Sequence, residues 1–123
     1  MEDFMEDIKD KARENTYFRQ VLDTGEHTQV VIMSIVEGGE IGEEVHKEND
    51  QVLYLVEGEG KTVLNGVEKA YQAGDLVLVK AGTRHNFINT GRGDLKIITT
   101  YSPPHHPPGT VHKTKEEADN AGY

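Results

Sequence analysis

Residues 38–58 read GGEIGEEVHKENDQVLYLVEG, and residues 74–89 read GDLVLVKAGTRHNFIN. Side chains two positions apart on a strand share a face, so Glu44 points the same way as His46. By the same rule Gln51 shares a face with the leucines that follow it, and the histidine of the second segment shares one with its phenylalanine. If these faces line one barrel interior, two imidazoles, a carboxylate and an amide meet at one end. A mostly apolar pocket with a few convergent polar groups is the usual form of a small-molecule site.

Around these two segments, the chain from residue 17 to residue 101 consists of short β-rich runs separated by turn signals. Many short strands at this spacing predict an all-β sandwich or barrel. Asn65-Gly66 is the strongest hairpin signal, because both residues tolerate the positive φ of a type I′ turn. The predicted strands are Tyr17–Leu22, Thr28–Val36, Gln51–Val56, Lys61–Leu64, Val67–Tyr71, Leu76–Val79, Arg84–Asn89 and Leu95–Tyr101.

Both ends of the chain depart from the strand pattern. Apolar residues at i, i+1, i+4 and i+8 predict a short helix over residues 2–13. The proline-rich run that opens the tail, residues 102–123, is predicted to be extended and packed over the barrel surface. Thr114-x-x-Glu117 is typical of a capping box and predicts a helix over Lys115–Asn120.

The histidines of this tail have two interpretations. His105, His106 and His112 could form a second metal-binding tract, or they could belong to an exposed tail. A proline-flanked histidine pair is more typical of an exposed tail, and this is the interpretation that we adopt.

One predicted strand is apolar on both faces. In the run VVIMSIV, Val30 and Ile32 lie on the face that an isolated barrel would expose, and a surface strand should alternate there. Something outside the barrel should therefore cover them. The candidates are the N-terminal helix and a second subunit, and we predict a homodimer.

Composition limits the class of protein. A chain of 123 residues without cysteine fits one domain, 1–123, with a barrel core at about 17–101 and no disulfide framework. The net charge of −9 repels nucleic-acid phosphates, so no nucleic-acid partner is expected. The acidic first residues lack the pattern of a signal peptide, and no apolar run approaches the ~18 residues of a membrane span. We predict a cytoplasmic protein without a membrane partner.

The two quoted segments resemble the paired motifs of the cupin family. The first is Gly38-x5-Glu44-x-His46-x4-Gln51-x6-Gly58, and the second is Gly74-x5-Lys80-x-Gly82-x2-His85-x3-Asn89. Their spacings match the family patterns G-x5-H-x-H-x3,4-E-x6-G and G-x5-P-x-G-x2-H-x3-N. The resemblance covers about residues 28–101 and is closest to small single-domain bacterial cupins. It implies a jelly-roll or double-stranded β-helix barrel, here with short N-terminal and C-terminal helices.

The resemblance also implies a metal site, with two departures from the usual ligands. Carried over position by position, the ligands are Glu44, His46, Gln51 and His85. Glutamate stands where the family usually has its first histidine, and glutamine stands where it usually has glutamate. Two imidazoles and a carboxylate suit one divalent ion such as Fe, Mn, Ni or Zn. Lys80, in place of the turn proline, is a further departure.

The resemblance implies Lewis-acid chemistry on a small polar or sugar-like molecule, of lyase, isomerase or dioxygenase type. No catalytic base is identified beyond the ligand set. A non-catalytic barrel that binds or senses a small molecule is the alternative, and a metal-free barrel is a third hypothesis. Arg84 and Lys80 flank His85 and could bind an anion, but solvated surface cations are the preferred interpretation.

Overall fold

The computed structural model describes residues 3–122, which form ten strands and two short helices. The first half contains α1 (Ile8–Glu14), β1 (Arg19–Thr24), β2 (Gln29–Ile35), β3 (Glu44–Val45), β4 (Asp50–Glu57) and β5 (Glu59–Leu64). The second half contains β6 (Val67–Gln72), β7 (Leu76–Val79), β8 (Arg84–Asn89), β9 (Leu95–Ser102), β10 (Val111–His112) and α2 (Lys115–Ala121).

The strands form two antiparallel sheets that enclose the core. One sheet has the order β10-β1-β2-β9-β4-β7, and the other has the order β3-β8-β5-β6. Neighbouring strands of both sheets pair in the antiparallel direction, as they do in a jelly roll. The predicted all-β barrel with a short helix near each end is therefore confirmed. Its fully buried side chains include Leu53, Leu55, Tyr71, Phe87, Leu95 and Ile97.

The eight predicted strands are all present, with two bounded as predicted and the others shifted by one or two residues. Sequence analysis missed β3 and β10, each only two residues long. Neither is long enough to show a periodic pattern. Both exist because a partner strand pairs with them: β8 in the case of β3, and β1 in the case of β10.

Two turns fix the register of the strands around the site. The β5–β6 hairpin turns at Asn65 and Gly66, whose φ angles are 49° and 82°. Positive φ at both residues is the signature of the predicted type I′ turn. Gly58 has a φ of 103°, and a Cβ there would lie 2.7 Å from the carbonyl oxygen of Asp94. Only glycine meets both conditions, so the last glycine of the first motif has a steric role.

The N-terminal helix is shorter than predicted. It begins at Ile8 because Asp7 is its N-cap and accepts a hydrogen bond from the N–H of Asp10 at 3.2 Å. Residues 3–7 are not helical, which corrects the predicted start, and residue 2 lies outside the described residues. The helix packs against β2, β4 and β9, and Ile32 is only 2% exposed within one chain. The helix was one of the two candidates for covering this face, and burial of Ile32 does not require a second subunit.

The C-terminal tail packs on the barrel, as predicted, but its histidines are not exposed. β10 adds to the edge of the six-stranded sheet and pairs with β1. His106 and His112 are 3% and 5% exposed, so the exposed-tail interpretation is wrong for both residues. Gln29, which is fully buried, holds the backbone of the histidine pair. The predicted helix α2 is present, with the Thr114 hydroxyl accepting from the N–H of Glu117 at 3.1 Å.

Within residues 3–122, no helix has the length and apolar character needed to span a bilayer.

Candidate metal centre

Three of the four predicted metal ligands come together where β3 meets β8. Pairing of these strands places Glu44 opposite His85. The Nε2 atom of His46 lies 3.3 Å from Oε2 of Glu44, and the rings of His46 and His85 are 5.2 Å apart between centroids. The shared orientation of Glu44 and His46 and the inward orientation of His85 are therefore as predicted.

A direct hydrogen bond joins the two motifs. The N–H of Gly82 donates to the carbonyl oxygen of His46 at 2.9 Å. Gly82 has a φ of 87°. Residues that carry a side chain rarely adopt this conformation. The turn that carries His85 is thereby fixed relative to the segment that carries His46.

The imidazole of His85 is held in one tautomer. Its Nδ1 atom lies 2.8 Å from the carbonyl oxygen of Thr83. A carbonyl can only accept, so Nδ1 carries a proton, and in the neutral imidazole Nε2 keeps its lone pair. A backbone carbonyl that binds one ring nitrogen is the usual way to orient the other nitrogen toward a metal.

Gln51 lies deeper in the barrel and is 3% exposed. Its Nε2 atom donates to the hydroxyl of Thr99 at 3.1 Å, whereas its Oε1 atom is buried without a hydrogen-bond partner among the described residues. Gln51 lies opposite Tyr101 in the pairing of β4 with β9, and the ring of Tyr101 meets that of His46 edge-on at 5.7 Å. The amide therefore adjoins the histidines through Tyr101.

The electrostatic environment keeps the His46 ring neutral. Burial, followed by the neighbouring His105 and His85, lowers the pKa of His46 to about 4. Burial raises the pKa of the Glu44 carboxyl, and the positive charge of Arg19 partly opposes this shift. The contact of His46 with Glu44 is therefore no ion pair at neutral pH. It sets a neutral imidazole beside a carboxylate oxygen, and both groups can ligate a metal ion.

Glu44 and His46 lie in the wall of an open cavity of about 630 Å³, which we term the cleft. Helix α2 forms the opposite wall. A polar ligand of small size would contact charged and imidazole groups on one side and the helix on the other. The cleft is lined by Phe18, Arg19, Ile41, Gly42, Glu43, Glu44, Val45, His46, His105, Lys115, Ala118, Asp119 and Gly122.

Two polar residues that line the cleft, Arg19 and His105, were not among the predicted site residues. The ring of His105 lies 4.5 Å from that of His46 between centroids. The His-His pair was recognised as a possible tract, but its position over the barrel depends on the fold of the tail. A signal for Arg19 was present, because strand alternation places it on the same inward face as Val21.

Other polar residues of the motifs have structural roles. Asn89 is 4% exposed and donates to the carbonyl oxygens of Ile35 and Gly93 at 3.0 and 2.8 Å, so it ties three segments together. Arg84 is exposed and lies 3.4 Å from Glu43, and Lys80 is exposed as well. Both cations are solvated surface residues, as preferred from the sequence.

The donor chemistry of the site fits a divalent metal. Two buried atoms that normally require a partner, Nε2 of His46 and Oε1 of Gln51, have no hydrogen bond among the described residues. The carboxylate of Glu44 adjoins Nε2 of His46. In the neutral ring of His85, Nε2 has a lone pair that can bind a metal. Within residues 3–122, however, no three His, Asp or Glu side chains are already arranged to ligate one ion.

Comparison with known proteins places this barrel in a family. Residues 31–101 match the family model described as the cupin domain. These residues include both motifs and all four predicted ligands. The chain therefore belongs to the cupin family, as the resemblance of its motifs implied.

Its relatives extend the likeness beyond the barrel. The uncharacterized protein YrkC of Bacillus subtilis is 43% identical over 94% of this chain, and the chain spans 65% of the length of that relative. The crystal structure of BH2720 from Bacillus halodurans has a TM-score of 0.95 at 39% identity, covering 97% of this chain and 95% of that one. An oxalate-binding protein of Thermotoga maritima is 30% identical over 54% of each sequence.

Proposed function

We propose that the chain binds one divalent metal ion through Glu44, His46, Gln51 and His85 and acts on a small polar molecule in the cleft. The observation that carries this proposal is the pair of buried donor atoms without partners among the described residues, Nε2 of His46 and Oε1 of Gln51. Two imidazoles and a carboxylate suit Fe, Mn, Ni or Zn. When bound, such an ion supplies Lewis-acid polarisation of a substrate oxygen.

The protein's own side chains would orient the ligand and move a proton. His105 lines the cleft beside His46, and burial lowers its pKa, so its ring is neutral and can accept a proton. This neutral imidazole beside the proposed ligands favours the lyase or isomerase type of chemistry over the dioxygenase type.

A second function is supported by a specific observation. Among residues 3–122 no three acidic or imidazole side chains are preset to ligate a metal. This favours the alternative of a barrel that binds or senses a small molecule without turnover. The oxalate-binding name of the Thermotoga maritima relative describes a binding protein, and it supports a small polar ligand under either hypothesis.

The metal content of tag-free protein tests the proposal. We expect about one ion per chain in the wild type by mass spectrometry and loss of that ion in the His46→Ala/His85→Ala variant. A matched control is His27→Ala, because His27 is 88% exposed and distant in sequence from both motifs. Wild-type protein that neither carries nor takes up Fe, Mn, Ni or Zn would leave the binding barrel as the function.

The oligomeric state and location are also proposals. A homodimer is supported by the edge strand β7, which exposes Leu76 and Leu78 at 62% and 50%. Light scattering on size-exclusion chromatography should give the mass of two chains for the wild type and the mass of one chain for the Leu78→Lys variant.

The absence of cysteine supports a cytoplasmic location, and the negative charge supports small molecules over nucleic acids as partners.

A further inference from the structure

Arg19 is a buried cation in the wall of the cleft. The residue is 4% exposed, and its Nε atom is buried without a hydrogen-bond partner among the described residues. No carboxylate of residues 3–122 lies within the 4.0 Å of an ion pair with its guanidinium. A buried charge without a counter-ion is strongly destabilising unless something compensates it. The residue therefore needs an explanation beyond packing.

Its neighbours hold the guanidinium in place without neutralising it. Nη1 of Arg19 lies 3.3 Å from Nδ1 of His112. Because arginine can only donate, that imidazole nitrogen is the acceptor. The guanidinium carbon lies 5.2 Å from the centroid of the Phe18 ring. Both contacts are with uncharged groups, so they orient the cation without neutralising it. The carboxyl of Glu44 senses the charge of Arg19 but forms no ion pair with it.

The other charges of the cleft are already matched. Lys115 donates to Asp119 at 2.8 Å, and Glu43 pairs with Arg84. If Glu44 is a metal ligand, its negative charge is used by the ion. Arg19 is then the cation of the cleft wall that lacks an anion among residues 3–122.

We propose that the cleft binds a small organic acid whose carboxylate docks on the guanidinium of Arg19. This inference rests on the proposed function, because it assigns Glu44 to the metal. A planar guanidinium matches a carboxylate through two parallel N–H···O bonds. One uncompensated positive charge suits a single carboxylate better than a phosphate dianion. The metal would hold the other end of the acid, so that Arg19 acts as a binding and orienting residue.

Calorimetric titration tests the inference with four probes. These are oxalate, glycolate, the neutral isostere glycolamide and inorganic phosphate, each added to metal-loaded and to chelator-treated protein. We expect oxalate or glycolate to bind at least about tenfold more tightly than glycolamide. In Arg19→Gln this preference should disappear while the metal content stays at the wild-type value. Arg19→Lys should retain part of it, and the exposed Arg92→Gln should retain all of it.

Several outcomes would overturn the carboxylate site. These are equal affinity for glycolate and glycolamide, unchanged carboxylate affinity in Arg19→Gln, or phosphate binding about tenfold tighter than either acid. If the wild type holds no metal, the proposed function fails, and the preference measured in the same sample still decides the role of Arg19. If Arg19→Gln does not fold, the melting temperature of the wild-type protein is measured with each probe instead. Equal shifts with glycolate and glycolamide would also overturn the carboxylate site.

Discussion

The side-chain amide of Gln29 forms two hydrogen bonds with the backbone of His106. Its Oε1 accepts from the N–H at 3.0 Å, and its Nε2 donates to the carbonyl oxygen at 2.7 Å. Oε1 also accepts from the N–H of His105 at 3.2 Å. One buried residue of β2 thus holds the tail over the barrel, and with it the imidazole that lines the cleft beside His46.

Replacing Gln29 with leucine should release this part of the tail. The change removes four hydrogen bonds, three to the tail and one to the Thr24 hydroxyl, and leaves buried backbone groups unpaired, so the free energy of unfolding should fall by roughly 2–4 kcal/mol. Urea denaturation measures this loss, and hydrogen exchange should show lost protection at residues 105–112. Gln72→Leu is the control, since the side chain of Gln72 is exposed. Its replacement should change stability by less than about 0.5 kcal/mol. Unchanged exchange in Gln29→Leu would contradict the role of this clamp.

Glu44 and Glu43 offer a matched pair for testing the metal centre. Glu44→Gln removes the only charged donor of the proposed ligand set, and we expect metal affinity to fall by at least about tenfold. Glu43→Gln changes the same residue type one position away, where the side chain pairs with Arg84 at the surface, and should leave affinity unchanged. Competition with a fluorescent chelator gives both values. Equal affinities in the two variants would remove Glu44 from the ligand set.

In metal-free protein, the free energy of unfolding should fall as the pH drops from about 7 to about 5. Burial lowers the pKa of His46 to about 4 and of His106 to about 3, from about 6.5 in the unfolded chain. The unfolded chain then binds protons that the folded chain excludes, so this stabilisation is complete above about pH 6.5 and is lost as the pH falls toward the folded values. At about pH 5 the loss is at most about 2 kcal/mol per histidine.

Urea unfolding across this pH range, in the presence of a chelator, measures the slope of the free energy of unfolding against pH. His106→Gln should lower the slope, whereas His27→Gln should not, since His27 is almost fully exposed. The raised pKa of Glu44 acts in the opposite direction and adds stability at low pH. A stability that is constant from about pH 7 to about pH 5 in the wild type would contradict the expectation.

The glycine that ends the first motif should tolerate no side chain. In Gly58→Ala the new Cβ would lie 2.7 Å from the carbonyl oxygen of Asp94, on a backbone with a φ of 103°. We expect a loss of at least about 2 kcal/mol by thermal or urea denaturation. Gly109→Ala is the control, because its φ is also positive, at 75°, but no atom lies within 4 Å of the new Cβ. That variant should lose only about 1 kcal/mol. Similar losses in the two variants would contradict the steric role of Gly58, because they would mean that the surrounding chain shifts enough to relieve the close contact.

The barrel was predictable because its strands carry local signals. β7 and β8 have the bounds that alternation and turn residues predict, and Asn65-Gly66 forms the expected turn. The helix start was wrong because the Asp7 cap was not recognised in a run of acidic residues. β3 and β10 were missed because two residues cannot display a period, and their conformation depends on the strand beside them.

Some residues of the site could likewise be predicted from local signals, and others could not. Motif spacing was sufficient to nominate Glu44, His46, Gln51 and His85, because fixed spacing on paired strands determines which side chains share an interior. The positions of Arg19 and His105 could not be deduced in this way. Arg19 pairs with His112, which is 93 residues away in the chain, and His105 is held by Gln29, which is 76 residues away.

By itself, the sequence determined the β-barrel, its hairpin, its family motifs and the donor atoms of the candidate metal centre. These features follow from residue types at short, regular separations, where strand geometry leaves little choice. Only the tertiary structure decided that the tail closes one side of the barrel, that α2 forms a wall of the cleft, and that a buried arginine faces it. Those features depend on contacts between residues distant in sequence, and no local pattern encodes such contacts.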